Sequence, residues 1–386
     1  MRGHFNGMVA VAERLLARGE QVGWACMGLS DPTPAIAAVE SIGAFPLRLP
    51  WPFPRLLDGQ AEEGRSVELR TRRFRRVTVE NEVVEPCLEI IRRFEADVVA
   101  LDPAFYSAII AAELAGVPYF CVHTNLGIAA PPDIACERIE VDRGLAEARS
   151  ALFARFGVEP PEFRRCESIS RHANSLWTTE SFLLGAPPPP RTRCVGSSIP
   201  LGRRPDHVGF DWTRLDDRPL IYASPGTVYP PPPAFFPVLA RVCDRLELQL
   251  VIVSEALPAG ADMARPPIVV SYAPQLEMLE RAAVFVTHGG GNSIMEAIHF
   301  GCPMLVAPLA SDQPVQAHLV EANGVGLAVD PYSVGPDPVG EARIEAALRQ
   351  LVDPSGRLAG RLAALQADYR RHDGADAVAA AIAELA

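Results

Sequence analysis

The sequence predicts an α/β protein made of two doubly wound domains, and three observations carry this prediction. Short apolar segments alternate with amphipathic helical segments in both halves of the chain, which is typical of parallel α/β architecture. The alternation is interrupted around residues 186–218 by a segment rich in proline, charge and turn residues. The length of 386 residues is enough for two separate cores. We therefore expect an N-terminal domain at 1–205, a linker at 206–218 and a C-terminal domain with terminal helices at 219–386.

The elements of each half follow from this alternation. The first half contributes the strand candidates QVGWACM, AFPLRLP, ADVVALD and VPYFCVHTN, and the helix candidates MVAVAERLLARG, PAIAAVESIG and SAIIAAELAG. The second half contributes the strand candidates LIYASPGT, LQLVIVSE, PIVVSYAP, AVFVTHGG and CPMLVAPL, and the helical segments RIEAALRQLVD and GADAVAAAIAELA. No apolar segment precedes the first helix, although the first strand of a doubly wound sheet usually lies centrally. We expect the recorded start to lack a natural first strand.

Composition excludes several classes of function. The net charge of −11, without a basic block to offset it, argues against a nucleic-acid partner. The sequence has no apolar run of membrane-spanning length and no signal-peptide pattern, so we expect a cytoplasmic globular protein without membrane insertion. The eight cysteines are scattered and form no C-x-x-C pair, which predicts reduced and mostly buried thiols rather than disulfides or a zinc site.

The segment THGGGNSIMEAIHF joins a predicted buried strand, residues 283–286, to a predicted helix. Asn292 or Ser293 is a suitable helix cap. A glycine-rich turn at this point exposes backbone N–H groups beside the positive end of the helix dipole, and such a turn binds anions, most often phosphate. A turn that simply needs the conformational freedom of glycine is the alternative. The spacing is not the G-x-G-x-x-G of dinucleotide-dependent dehydrogenases.

The residues around this turn resemble the donor-binding signature of family 1 glycosyltransferases, the UDP-glycosyltransferase-like GT-B enzymes that use nucleotide-activated sugars. The matching elements are, in order, Ala273, Pro274 and Gln275; Thr287, His288, Gly289 and Gly290 with Asn292 and Ser293; Glu296; Gly301 and Pro303; and Asp312 with Gln313. The resemblance also includes RGHFNGMVAVAERLLARG, LDPAFYSAIIAAELAGVP and IYASPGT, and covers nearly the whole chain. It implies a GT-B fold, in which two Rossmann-like domains face each other across a cleft, and a bacterial natural-product type of enzyme.

The resemblance implies a phosphate role for the residues of the glycine turn. Gly290 and Gly291 would let the backbone approach a sugar-nucleotide diphosphate, and the helix N-terminus from Asn292 would compensate its charge. His288 would donate to the same phosphates. Ser224 and Thr227, in SPGTVY, resemble the family's serine-glycine-threonine loop and are expected on the phosphate side.

The same resemblance implies contacts with the rest of the donor. Glu296 would accept hydrogen bonds from ribose hydroxyls, and Asp312 with Gln313 would hold the hydroxyls of the sugar. Tyr272 stands where plant members have a tryptophan that stacks on the base, and a core tyrosine is the alternative. The donor-binding set is completed by three residues of the signature: Ala273, Gln275 and Ser293.

A catalytic pair follows from the resemblance as well. An alcohol is a poor nucleophile at neutral pH, so a base must take its proton during attack. His4 in RGHFNG matches the family's base, and Asp102 at the end of ADVVALD matches the carboxylate that orients it. The alternatives are a frayed terminal residue for His4 and a helix N-cap for Asp102. Gly7 stands where the family usually has proline.

These residues predict an inverting glycosyltransferase. No D-x-D cluster accompanies the donor signature, so we expect no metal and no cofactor beyond the co-substrate, a UDP-sugar or a dTDP-sugar. Trp51, Phe53 and Phe74 suggest an apolar pocket and hence a lipophilic small-molecule acceptor, and we expect a monomer or homodimer. Two alternatives remain: an inactive, donor-binding homologue that assists a partner, and a GT-B nucleotide-sugar epimerase, although epimerases lack the Asp312–Gln313 pair.

Overall fold

The computed structural model describes residues 2–27, 33–49, 66–129, 134, 136–202, 204, 208–226, 229–254, 263–335, 337–353 and 357–386. In this part of the chain the strands are, in order, β1 (Gly23–Met27), β2 (Phe45–Leu49), β3 (Val99–Leu101), β4 (Tyr119–His123), β5 (Glu162–Arg164), β6 (Glu167–Ile169), β7 (Ala173–Leu176), β8 (Thr192–Cys194), β9 (Leu220–Ser224), β10 (Gln249–Val253), β11 (Ile268–Val270), β12 (Val284–Thr287), β13 (Met304–Val306) and β14 (Gly326–Ala328).

The α-helices of the described ranges are α1 (Arg2–Ala17), α2 (Thr33–Ser41), α3 (Val67–Arg75), α4 (Val84–Phe94), α5 (Tyr106–Ala115), α6 (Glu137–Arg155), α7 (Phe235–Arg245), α8 (Gln275–Arg281), α9 (Gly291–Phe300), α10 (Gln313–Ala322), α11 (Pro338–Val352), α12 (Arg357–Arg370) and α13 (Gly374–Ala383). Every strand and helix candidate taken from the alternation of the sequence corresponds to one of these elements. None of the helices in the described ranges has the length and apolar character needed to cross a membrane.

The chain divides into two compact units. The first contains residues 1–178, 186–206 and 372–386, and the second contains residues 179–185 and 207–371. The predicted domain boundaries therefore differ from the units in two segments, since 179–185 lies with the second unit and the terminal helix α13 lies with the first.

Individual contacts explain why α13 lies with the first unit and why residues 179–185 lie with the second. The buried guanidinium of Arg14 in α1 donates to Asp373 Oδ2 at 2.9 Å, and Asp373 also caps α13. Gly374 lies so close to the carbonyls of Val195 and Ser197 that an added Cβ would be 2.6–2.7 Å from their oxygens. In the second unit, the carbonyl of Phe182 accepts a hydrogen bond from Asn323 Nδ2 at 2.9 Å.

The first unit contains two parallel sheets and one small hairpin. β1 pairs with β2, β3 lies in a four-stranded sheet of order β3-β4-β7-β8, and β5 pairs with β6 in an antiparallel hairpin. Apolar residues of α4, α5 and α6 form the main core of this unit. Phe74 packs against this core, and the guanidinium of Arg138 lies over its ring, 5.5 Å from the ring centre. Phe74 is therefore a packing residue of the first unit. Trp51 and Phe53 lie outside the described residues.

A buried polar network ties the hairpin to the four-stranded sheet. His123, at the end of β4, is fully buried, and its Nδ1 lies 2.7 Å from Glu167 Oε2 in β6. Arg138 donates to the other carboxylate oxygen of Glu167 at 2.9 Å. A buried charge is stable only when it is paired in this manner, so the network is a structural feature of the first unit.

The second unit is a six-stranded parallel sheet of order β11-β10-β9-β12-β13-β14. Counted within the unit, this is the order 3-2-1-4-5-6 of a Rossmann fold. Residues of α7, α11 and the strands form its core, and the rings of Tyr222 and Phe285 stack on adjacent strands at 5.1 Å. In such a sheet, ligands bind outside the carboxyl ends of the strands where the strand order reverses, which here is the point between β9 and β12.

The cysteines of the described residues are unpaired, as the spacing predicts. Burial raises the pKa of the Cys87, Cys166 and Cys243 thiols to about 12. These thiols are therefore protonated at neutral pH and act as small apolar groups. They are also unreactive, because the thiolate is the reactive form.

Candidate nucleotide-binding site

Three strand ends of the second unit meet at the switch point of its sheet. Ser224 ends β9, and Thr287, which ends β12, lies directly opposite it in the register of the two strands. The loop after β12 leads into α9, and the neighbouring loop after β13 leads into α10. Gly289 lies against this second loop, because a Cβ at this position would be 2.8 Å from Val306 Cγ1. The loops of β9, β12 and β13 thus form one site.

Helix α9 begins two to three residues earlier than the sequence predicts. Gly290 is the N-cap, with φ −65° and ψ 140°, and no side chain caps the helix. Asn292 and Ser293, the predicted caps, lie inside the first turn instead. A helix whose first N–H groups have no side-chain cap offers them to an external acceptor, and the helix dipole favours an anion there.

His288 lies next to this helix terminus. Its Nδ1 atom is buried and has no hydrogen-bond partner among the described residues. Burial lowers the pKa of His288 to about 4, although the Asp312 carboxylate and the Ser224 backbone raise it in part. The imidazole is therefore neutral at pH 7. The sequence predicts that it donates to phosphates but does not indicate its charge. A buried polar atom without a partner needs a ligand or an explanation, and a diphosphate oxygen can accept from Nδ1 when this nitrogen carries a proton.

Gly226 permits the histidine to occupy this position. An added Cβ at Gly226 would be 2.6 Å from both Cε1 and Nε2 of His288, and at Gly290 it would be 2.7 Å from Nε2. Gly226 also has φ +80°, a conformation that side chains other than glycine rarely adopt. The close approach of the imidazole thus requires glycine at both positions, and the backbone conformation requires it at Gly226 as well.

We expect Gly226→Ala to lower the stability of the second unit and to displace His288. The left-handed conformation alone costs a non-glycine residue roughly 1–2 kcal/mol, and the contact with the ring adds to this cost. Denaturant unfolding measures the loss of free energy, and calorimetry with UDP measures the effect on the site.

Gly185→Ala is the matched control for this substitution. Gly185 lies in the same unit with φ +82°, but a Cβ there would have nothing within 4 Å. The control is expected to lose stability without losing UDP affinity. Equal effects of the two substitutions on UDP affinity would contradict the contact between Gly226 and His288.

Glu296 forms a second polar centre in α9. Its side chain is 4% exposed, and the carboxylate Oε2 accepts a hydrogen bond from Gln275 Nε2 at 2.6 Å. Gln275 Nε2 also lies 3.4 Å from Ser293 Oγ. Gln275 therefore orients the carboxylate of Glu296. Its neighbour Ala273 is buried, whereas Tyr272 is half-buried and does not belong to the core.

Asp312 and Gln313 occupy different environments at the start of α10. Gln313 is buried, and its Oε1 accepts from the backbone N–H groups of Leu309 and Ala310 at 2.7 and 3.0 Å. This side-chain oxygen thus fixes the loop between β13 and α10. The carboxylate of Asp312 accepts from the side-chain amide of Gln316, one helical turn further along. Gln316 was not predicted from the sequence, because no signature residue marks it.

The predicted catalytic residues lie in the first unit. His4 falls within the first turn of α1, so RGHFNG is helical where the resemblance implies a loop. The side chain of His4 lies outside the described part of the structure, and its pairing with Asp102 stays a prediction. Asp102 follows β3 and accepts from the N–H of Ala104 at 2.9 Å, while Phe105 is the N-cap of α5. The carboxylate therefore closes a turn rather than capping the helix.

Two other predicted features are not decided by the geometry. Thr227 lies outside the described residues, so its phosphate-side role stays a prediction. Among the described side chains, no group of three or more His, Cys, Asp or Glu residues could hold a metal ion. That turnover needs no metal also stays a prediction.

Solved structures with this fold identify the architecture. The glycotransferase of kitacinnamycin is 25% identical, with a TM-score of 0.76, and the match covers 100% of this chain and 96% of that chain. The glycosyltransferase VinC, solved in complex with dTDP, is 18% identical, with a TM-score of 0.69 and coverages of 100% and 97%. The predicted GT-B fold is confirmed.

A family model matches the segment that contains the site. Residues 254–358 match the model described as UDP-glucoronosyl and UDP-glucosyl transferase, and this range includes every donor-site residue from Tyr272 to Gln313. In this segment and in its fold, the chain is similar to the family 1 GT-B glycosyltransferases. The family assigned from the residues of the donor signature is thereby confirmed.

Curated glucosyltransferases match this chain over different lengths. The uncharacterized UDP-glucosyltransferase YdhE of Bacillus subtilis is 29% identical over 50% of this chain and 49% of its own length. Zeaxanthin glucosyltransferase of Pantoea ananas is 23% identical over 84% of this chain and 81% of its own length. The chain spans less than half the length of the three Bacillus subtilis relatives YdhE, YojK and YjiC.

Proposed function

We propose that this chain transfers a sugar from a nucleotide diphosphate sugar to a hydroxyl group of a lipophilic small molecule, with inversion at the anomeric carbon. The observation that carries the proposal is the group of anion-accepting features at the switch point of the second unit. The N-terminus of α9 without a side-chain cap and the buried, unpartnered Nδ1 of His288 lie together there, and Gly226 gives the imidazole the space it occupies. A diphosphate can accept hydrogen bonds from both the helix N-terminus and the imidazole.

A uridine nucleotide is the donor that we propose. Glu296 is a buried carboxylate whose orientation is fixed by Gln275, and ribose offers such a group two vicinal hydroxyls. The names of the curated relatives support a UDP-sugar. VinC and SsfS6 were solved with thymidine diphosphate, which makes a dTDP-sugar the donor to compare.

The reaction balances in one displacement. The acceptor oxygen forms a bond to the anomeric carbon, the bond from this carbon to the β-phosphate oxygen breaks, and the nucleoside diphosphate leaves. The proton of the acceptor hydroxyl passes to a base, for which we propose His4 with Asp102 as the group that orients it. Attack opposite to the leaving group converts an α-linked donor into a β-linked product.

The leaving group acquires negative charge during this step. We propose that the backbone N–H groups at the start of α9 and the neighbouring His288 stabilise this charge. Ser224, at the end of β9, lies on the same side of the site. Preorganised donors of this kind act without reorganisation and supply a large share of catalysis in many enzymes. The proposed reaction therefore needs no divalent metal.

The experiment that tests the proposal is turnover with UDP-glucose and a panel of phenolic, polyketide, macrolide and terpenoid acceptors. We expect UDP release and a glycosylated product by mass spectrometry, with rates that do not change in EDTA. His4→Ala is expected to keep UDP affinity and to lose turnover, because the base contacts the acceptor rather than the diphosphate.

Each part of this proposal can fail separately. Loss of activity in EDTA, with recovery on adding Mg²⁺ or Mn²⁺, would contradict the metal-free account of the leaving group. Full activity of His4→Ala would contradict the assignment of the base. Nucleotide-sugar binding without turnover of any acceptor would instead support the inactive, donor-binding homologue.

A further inference from the structure

Gln316 lies one helical turn after Asp312 in α10 and is fully buried. Its Nε2 donates to Asp312 Oδ2. Asp312 occupies the N-cap position of α10, where an aspartate usually accepts from a backbone N–H of the first turn. Its side chain makes no such bond here. The carboxylate is therefore held by the glutamine instead of by the helix.

The chemistry of the pair allows one orientation of the amide. Rotation of the Gln316 amide by half a turn would bring two acceptors together, its carbonyl oxygen and the Asp312 carboxylate. The orientation that satisfies the carboxylate leaves Gln316 Oε1 buried and without a hydrogen-bond partner among the described residues. A buried acceptor that forms no hydrogen bond lowers the stability of a protein. The amide therefore holds the carboxylate of Asp312 in place at some cost to stability.

The electrostatic influence of Asp312 extends to the proposed diphosphate site. Its carboxylate raises the pKa of His288 against the effect of burial, so the two groups share one environment. The arrangement also repeats that of Glu296, whose carboxylate accepts from Gln275. In both cases a glutamine amide donates to one oxygen of the carboxylate.

We propose that Gln316 is a positioning residue that orients Asp312 toward a hydroxyl of the donor sugar, and that it thereby sets the selectivity for donors that carry this hydroxyl. The proposal rests on the proposed function, because it assumes a nucleotide sugar in this site. Gln316 does not contact the donor. It acts by restricting the side-chain rotation of Asp312, so that a hydrogen bond to the sugar forms without further loss of conformational freedom.

The test compares UDP-glucose with analogues that each lack one hydroxyl, at C2, C3, C4 or C6. The wild-type protein is expected to discriminate against at least one analogue by about tenfold or more in kcat/KM, because a carboxylate loses its donor. In Gln316→Leu this ratio is expected to fall toward one, while the affinity for UDP alone stays at the wild-type value. Gln249→Leu is the control, since Gln249 is a buried glutamine of β10 that bonds to Asp216 and Arg218. It is expected to lower stability and to keep the ratio.

Gln316→Glu adds a readout that a purely structural role would not produce. The protonated carboxyl group can donate to Asp312 as the amide does, whereas the ionised group can only repel it. Discrimination in this variant is therefore expected to rise as the pH falls, and that of Gln316→Leu is expected to stay flat.

The failures are distinguishable. An unchanged ratio in Gln316→Leu, together with wild-type affinity for UDP, would overturn the role of Gln316 and leave the proposed function intact. If the wild-type protein binds UDP-glucose without turnover, the proposed function fails, and the same ratios measured as dissociation constants still decide on Gln316. Absence of UDP-glucose binding by the wild-type protein would overturn both.

Discussion

UDP-glucose is expected to bind more tightly as the pH falls from about 8 to about 5, and this dependence is expected to disappear in His288→Ala. In the free protein, burial holds the pKa of His288 at about 4, so the imidazole is neutral throughout this range. A diphosphate beside the ring favours the protonated form and raises its pKa. If the pKa in the complex approaches its ordinary value of about 6.5, the affinity gain by pH 5 is roughly ten- to thirtyfold.

Calorimetry in two buffers of different ionisation enthalpy measures this proton uptake directly. UDP-glucose is a better ligand than UDP here, because its phosphates lack the second ionisation near pH 6 that a terminal phosphate has. His318→Ala is the matched control, since His318 is exposed on α10. Binding with no proton uptake in the wild-type protein, or equal uptake in His288→Ala, would show that His288 does not face the diphosphate.

His288→Ala is also expected to weaken binding at neutral pH. Loss of one hydrogen bond to a charged group costs about 1.5–3 kcal/mol, which corresponds to roughly a ten- to hundredfold increase in Kd. Because the imidazole is neutral in the free protein, the loss of binding free energy at pH 8 is expected near the lower end of this range. The difference between the variant and the wild-type protein is therefore expected to grow as the pH falls.

Glu296→Ala is expected to abolish discrimination between UDP and its 2′-deoxy analogue, dUDP. The two ligands differ by one ribose hydroxyl and share the base and the diphosphate. A buried carboxylate that accepts from this hydroxyl favours UDP by about 1.5–3 kcal/mol, or roughly ten- to hundredfold in Kd. The wild-type protein is expected to show this preference, and the variant is expected to bind both ligands equally and with lower affinity than the wild-type protein binds UDP.

The cycle of two ligands and two proteins isolates the contact with the 2′-hydroxyl. Glu321→Ala is a suitable control, because Glu321 is an exposed carboxylate on α10 of the same unit, away from the loops of the site. A wild-type protein that binds dUDP as tightly as UDP would contradict the assignment of Glu296 to the ribose and would favour a thymidine donor.

The sequence predicted the strands of the second unit because their apolar runs are bounded by turn residues. LIYASPGT and AVFVTHGG became β9 and β12, the strands on either side of the switch point. β14 was not predicted, since Gly326–Ala328 is too short for a period to be recognised. The hairpin of β5 and β6 was missed for the same reason, because each strand has three residues.

Long-range contacts account for the differences between the predicted domains and the two compact units. The pattern GADAVAAAIAELA predicts a helix and contains no information on which core it joins. The choice depends on Asp373, just before this helix, which meets Arg14 at the other end of the sequence. Residues 179–185 belong to the second unit for a similar reason, through Asn323. Helical periodicity is local, whereas these contacts depend on the folded chain.

The donor signature predicted which residues surround the site but not what each side chain does there. His288 is a buried, neutral imidazole, and the side-chain oxygen of Gln313 fixes the loop between β13 and α10. Gln275 contacts Glu296, and Gln316 has no place in the signature. Each of these assignments depends on distances of a few ångströms between loops that are separate in sequence, and no residue pattern contains them.

A crystal structure of the protein with bound UDP tests the central claim most directly. The decisive measurement is the distance from the phosphate oxygens to the backbone nitrogens of Gly291, Asn292 and Ser293 and to the imidazole of His288. We predict hydrogen-bond distances of about 2.7–3.2 Å, with the diphosphate at the carboxyl ends of β9 and β12. A diphosphate bound elsewhere, with the first turn of α9 contacting only protein or water, would contradict the account.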